Sequence, residues 1–109
     1  MIRVVFARIR PEKEARLRAW LAELMARREE VLATFAREGV RHEQAFIILG
    51  DSGPLIAYAI EAEDHAAATA AYRESTLPID IEHRAVLNEC LLAKVQAEPL
   101  FYCAVDTAH

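Results

Sequence analysis

The chain of 109 residues is the size of one domain and leaves no room for a second. Apolar residues make up 54% of it, too many for a disordered chain, and the formal net charge of −4 argues against a nucleic-acid or anionic-membrane binder. With 7% aromatic residues against 21 alanines, the core must be built largely from small side chains.

Residues 2–9, Ile-Arg-Val-Val-Phe-Ala-Arg-Ile, are β-branched and apolar and predict a strand. Arg10-Pro11 ends it, because proline holds the residue before it in extended geometry, and Pro11 then suits a first helical position. The spacing predicts one long helix over 11–38, stopped by Gly39. Strands follow at 41–49 and 54–62, joined by Asp51-Ser52-Gly53 as a hairpin turn. A short alanine-rich helix over 64–74 is broken by Ser75-Thr76-Leu77-Pro78, and Thr76 or Leu77 caps a further helix over 78–94. Glu98-Pro99 leads into a last strand at 100–105. The order β-α-β-β-α(α)-β is the ferredoxin-like plan: a single α+β domain with four antiparallel strands and helices on one face.

The strands lack the apolar–polar alternation of a half-exposed sheet. Val4 to Ala7, Ala45 to Leu49 and Leu55 to Ile60 are continuous apolar runs, so both faces ask for cover. One chain has helix enough for one face. The expectation is a homodimer packed sheet on sheet, as a dimeric α/β-barrel. Charge is divided as well, with 10 Lys/Arg against 6 Asp/Glu in residues 1–41 and 3 against 11 thereafter: either the long first helix is simply Arg-rich, or the two parts attract within the chain or across a dimer.

Two polar residues interrupt apolar stripes. On a helix running unbroken over 11–38, Leu17, Leu21, Leu24, Val31 and Phe35 fall within about 40° of one line, and Arg28 lies about 20° from it. A guanidinium there must snorkel, meet a carboxylate or face a ligand. In the last helix Ile79, Val86 and Cys90 form the stripe, His83 sits among them, and Asp80 flanks the same side three residues earlier. Glu43, Tyr58 and Glu61 on the strands are candidates to meet them, depending on the face each occupies. Such a pocket would bind an anionic or polyhydroxyl small molecule, with Arg28, Tyr58, Glu61 and Glu43 as ligand-binding residues and His83, oriented by Asp80, as the catalytic acid or base. No cofactor is called for. A metal held by His83, Asp80 and a strand Glu would lack the His-rich ligand sets typical of such sites. The bland account is a core histidine and a structural ion pair.

His42, His65 and His109 are scattered, and Cys90 and Cys103 read as two buried free thiols. Three glycines make no phosphate-cradling loop. The absence of a signal-peptide layout and of any apolar run long enough for a membrane span predicts a cytoplasmic protein without membrane association.

Ser75-Thr76-Leu77-Pro78-Ile79-Asp80-Ile81-Glu82-His83 resembles the signature segment of a domain-of-unknown-function family of short bacterial proteins. Further resemblance lies in Arg8-Ile9-Arg10-Pro11, in Arg27-Arg28-Glu29-Glu30-Val31-Leu32, in Glu38-Gly39-Val40 and in Tyr58 to Asp64, over nearly the full length. The resemblance implies a ferredoxin-like, dimeric α/β-barrel fold and no particular substrate. In layout the chain is similar to rhamnose mutarotases and cofactor-free monooxygenases of that superfamily. The mutarotase residues do not carry over: the first helix has neither Tyr nor His, and Trp20 is the single tryptophan. Two functions compete, a small-molecule pocket with isomerase-type acid/base chemistry and a non-catalytic dimeric structural or protein-interaction module.

Overall fold

The computed structural model describes residues 1–105. Strand β1 (Ile2–Ile9) is followed by a 3-10 turn at Pro11–Lys13, helices α1 (Glu14–Ala26) and α2 (Arg28–Glu38), strands β2 (Val40–Gly50) and β3 (Gly53–Ala62), helices α3 (His65–Glu74) and α4 (Pro78–Cys90), and strand β4 (Leu91–Val95). The four strands form one antiparallel sheet in the order β2-β3-β1-β4, the ferredoxin-like arrangement.

Local signals placed most boundaries. Gly39 closes α2 with φ 74°, a conformation that costs glycine least. Asp51-Ser52 turns between the paired Gly50 and Gly53, and Gly53 takes φ 102°. Asp64 caps α3 by accepting from the Ala67 N–H at 2.9 Å, and Pro78 opens α4 after Leu77.

Two expectations are corrected. The predicted single helix over 11–38 is two helices, broken at Arg27, whose backbone leaves helical geometry at φ −103°, ψ 40°. Its side chain stands over the Trp20 ring and binds Glu82 on α4 at 2.6 Å, besides Glu23 and Glu30, so the break is anchored by contacts from outside the helix. The predicted last strand at 100–105 does not form, and those residues have no regular structure. Strand β4 comes instead from what reads as the end of the 78–94 helix. The Arg10 N–H donates to the Cys90 carbonyl at 2.8 Å, and Leu91 then pairs with Ile9, which turns the chain into the sheet edge. Cys90 is buried, whereas Cys103 is exposed, contrary to the expectation of two buried thiols. His109 lies outside the described residues.

Cross-strand pairing sorts the side chains by face. Arg3, Ile60 and Glu43 form one row, Val5, Tyr58 and Ala45 the next, and Ala7, Ile56 and Ile47 a third. These rows face the helices, since Ala7, Ile9 and Ile56 pack with Leu17, Trp20, Ile79, Val86 and Cys90 in the core. The intervening rows, among them Val4–Ala59–Gln44 and Phe6–Ala57–Phe46, form the other face, which no helix covers. There Ile2, Val4, Phe46 and Ile48 are all exposed.

Candidate functional site

A cavity of about 600 Å³ lies between the helices and their side of the sheet. The core packs around Leu17, Ile9, Ile56 and Cys90, and the small Ala68 of α3 lies on the cavity. Leu24, Val31, Phe35, Ile60 and Leu87 supply apolar wall; Thr34, Glu38, Glu43, Tyr58, Tyr72, Asp80 and His83 are polar groups on it, and Arg3, Arg73 and Lys94 add positive charge to the lining.

His83 projects from the inward stripe of α4, as its spacing with Ile79, Val86 and Cys90 requires. Its Nδ1 accepts a hydrogen bond from the Trp20 indole N–H at 2.7 Å. Trp20 lies 6.0 Å from it in a stacked pose, and Tyr58 and Tyr72 meet it edge-on at 6.2 and 5.9 Å. This surround removes water, and burial lowers the imidazole pKa to about 4, with Asp80 opposing and Arg84 assisting the shift. The ring is therefore neutral near pH 7.

Asp80 is buried and does not orient His83. Its Oδ2 accepts from the Thr34 hydroxyl and from the Ser75 hydroxyl, each at 2.5 Å, and this ties α2, the α3–α4 elbow and α4 together. The elbow is further fixed by Arg84, which donates to the carbonyls of Tyr72 at 2.6 Å and Ser75 at 2.7 Å.

Glu43 enters the cavity from β2, open to solvent along the strand while its carboxyl is crowded by protein. Glu38 enters from the end of α2 and accepts a long bond from Thr34 at 3.3 Å. Burial first, and repulsion by Asp80 second, raise each carboxyl pKa to about 7. The Tyr58 and Tyr72 hydroxyls are buried without a hydrogen-bond partner among the described residues, and burial raises both phenols above their ordinary value.

The structure thus gathers His83, Asp80, Tyr58 and Glu43 on one cavity and leaves out two expected residues. Arg28 is exposed and outside the cavity: it is the first residue of α2, and the cavity is lined by Val31, Thr34, Phe35 and Glu38 further along that helix. Glu61 faces the opposite side of the sheet, where it pairs across β2 and β3 with His42 at 3.6 Å. Trp20, Thr34, Glu38 and Tyr72 were not read from the sequence. Tyr72 and Glu38 carried a usable signal, since each is a polar group on the inward side of an amphipathic helix. Thr34 carried none until the break was known. His65 is a structural histidine, with Nε2 2.9 Å from the Met1 carbonyl. Among the described residues, no three His, Cys, Asp or Glu side chains are grouped so as to hold a metal ion, and no helix is long and apolar enough to cross a membrane.

A four-stranded antiparallel sheet with helices on one face and a cavity beneath them defines a small ferredoxin-like α+β protein. The chain belongs to DUF6176, a family of unknown function, which it matches over residues 1–108. It is similar in structure to Rv0793 from Mycobacterium tuberculosis, with a TM-score of 0.53 and 21% identity over 94% of this chain and 96% of that one. That likeness is one of fold. No curated protein matches the chain.

Proposed function

We propose that the protein binds a small polar molecule in the cavity between helices and sheet and handles a proton on it without a cofactor. One observation carries this reading: the Tyr58 and Tyr72 hydroxyls are buried without a partner among the described residues, on a cavity that Glu43 and His83 also line. A sealed structural core would pair them, because an unmet buried hydroxyl costs about 1–3 kcal/mol. Arg28 is turned outward, but Arg3, Arg73 and Lys94 line the cavity, so a small molecule rich in hydroxyl, carbonyl or carboxylate oxygens suits the site. A screen of sugars and small hydroxy-carbonyl compounds, read by thermal shift, tests this. Compounds that stabilise the wild type should lose their effect in Tyr58→Phe and His83→Ala and keep it in Arg28→Ala. Equal responses in all four proteins would overturn the reading.

The second reading, an assembly module, is favoured by the uncovered sheet face, and the two are compatible. Ile2, Val4, Phe46 and Ile48 on neighbouring strands form an apolar surface suited to the same surface of a second copy, which supports a homodimer. Sedimentation at micromolar concentration should give twice the chain mass, and a monomer would remove this part of the proposal. A cytoplasmic setting fits two cysteines left as free thiols.

A further inference from the structure

The bond from Trp20 decides what His83 can offer. An indole N–H only donates, so Nδ1 of His83 must accept, and a neutral ring then carries its proton on Nε2. Trp20 is buried in the core, stacked on the imidazole, with the Arg27 guanidinium 5.9 Å from its ring centre, so it has no freedom to swing away. The basic lone pair of His83 is thereby occupied, and Nε2–H, which has no protein partner among the described residues, is what remains for the cavity. Tyr58 from β3 and Tyr72 from α3 bring two more unpartnered hydroxyls to the same ring. The charged groups bearing on His83 are Asp80 and Arg84 of its own helix, and both are already committed to Thr34, Ser75 and backbone carbonyls. Three neutral donors around one space are suited to an oxygen on which negative charge develops. The base must then come from a carboxyl. Asp80 accepts two hydroxyl bonds and Glu38 one, whereas Glu43 accepts none.

We infer that the cavity takes a carbonyl compound, that His83 Nε2–H and a tyrosine hydroxyl hold the carbonyl oxygen while Glu43 exchanges a proton on the neighbouring carbon, and that Trp20 is the positioning residue that keeps His83 a donor. This deepens the small-molecule reading above and rests on it. In the step, the Glu43 carboxylate takes the proton, the C–H electron pair becomes the C=C bond of an enolate, and the C=O π pair moves to oxygen. Return of the proton from Glu43 to the same carbon, as the oxygen's electron pair re-forms C=O and the C=C pair forms the new C–H bond, ends the cycle with no change of oxidation state and no co-reactant. A Glu43 pKa of about 7 suits a group that must both take and give a proton near neutrality, and a His83 pKa of about 4 suits a donor that stays neutral.

The test uses the full chain, 15N-labelled, with acetophenone and ethylbenzene as probes that differ in the carbonyl. Nitrogen NMR at neutral pH should show His83 Nδ1 as the bare, acceptor nitrogen and Nε2 as the protonated one, with this assignment lost or mixed in Trp20→Phe. Acetophenone should shift the Nε2–H signal, ethylbenzene should not, and loss of the acetophenone methyl protons to D2O should slow about tenfold in Glu43→Gln. A protonated Nδ1 or an imidazolium in the wild type overturns the inference without need of any variant. So does exchange that is equal in wild type and Glu43→Gln. Acetophenone that perturbs the cavity but spares Nε2–H overturns this inference alone, whereas failure of both probes to perturb any cavity signal overturns it together with the pocket reading.

Discussion

The two faces of the sheet differ in chemistry. The helix-covered face combines a dense core at one end with an open, polar cavity at the other, where Glu43, Tyr58 and His83 meet. The uncovered face has an apolar centre of Ile2, Val4, Phe46 and Ile48, with Arg8, Gln44, His42 and Glu61 as its polar members. The face with cover keeps polar groups that its cover does not satisfy, and the face without cover keeps apolar groups that water does not favour. Each is explained by something outside the single chain, a ligand on one side and a second copy on the other.

The largest effect that separates these faces should come from Asp80→Ala. It orphans the Thr34 and Ser75 hydroxyls and should cost about 3 kcal/mol in urea unfolding. A loss below about 0.5 kcal/mol would show that the elbow is not held by this carboxylate. Trp20→Phe, on the same face, should cost about 2 kcal/mol through the lost bond to His83 and the space left behind. It should also raise the His83 pKa toward its ordinary value, because the indole bond favours the neutral ring. Phe46→Glu on the other face should act on assembly, halving the mass seen in sedimentation. A chain whose mass is the same with and without the glutamate breaks the comparison. Arg28→Ala should change stability by less than about 0.5 kcal/mol and leave ligand responses intact, as befits an exposed residue.

Most of the fold was legible because its signals are local. Gly39, Asp51-Ser52-Gly53 and Pro78 each act within a few residues of themselves, and the structure uses all three as read, while Asp64, included in the predicted helix, is its cap. The break at Arg27 was not legible. It involves no proline or glycine and is anchored by Glu82, 55 residues away. The 100° wheel put Arg28 in line with Val31 and Phe35, which do line the cavity, but Arg28 is the first residue of α2 and is exposed outside it. Leu91 and Leu92 continue a helical pattern, and the Arg10–Cys90 backbone bond and the pairing with β1 override it. The site divides in the same way. His83 was readable from its own helix, whereas the faces of Glu43, Tyr58 and Glu61 were not, because strands apolar on both sides give no parity until the register is known. Trp20 packs in the core, and its N–H also sets the state of His83, a role that nothing in its place in the sequence signals.

The central claim is that the cavity holds an unpaired carboxyl the fold would be better without. Glu43 has a folded pKa of about 7, above its ordinary 4.5. The folded chain therefore binds more protons than the unfolded one between those values, and Glu43 costs increasing stability as pH rises through that window. Glu38 adds the same sign and His83 the opposite, and both remain in a Glu43→Gln variant, so the difference between variant and wild type isolates Glu43. The measurement is urea unfolding of both proteins at pH 4.5 and pH 8. The account predicts equal stability at the lower pH and a more stable Glu43→Gln at the higher, while a variant equal to or weaker than wild type at pH 8 would contradict it.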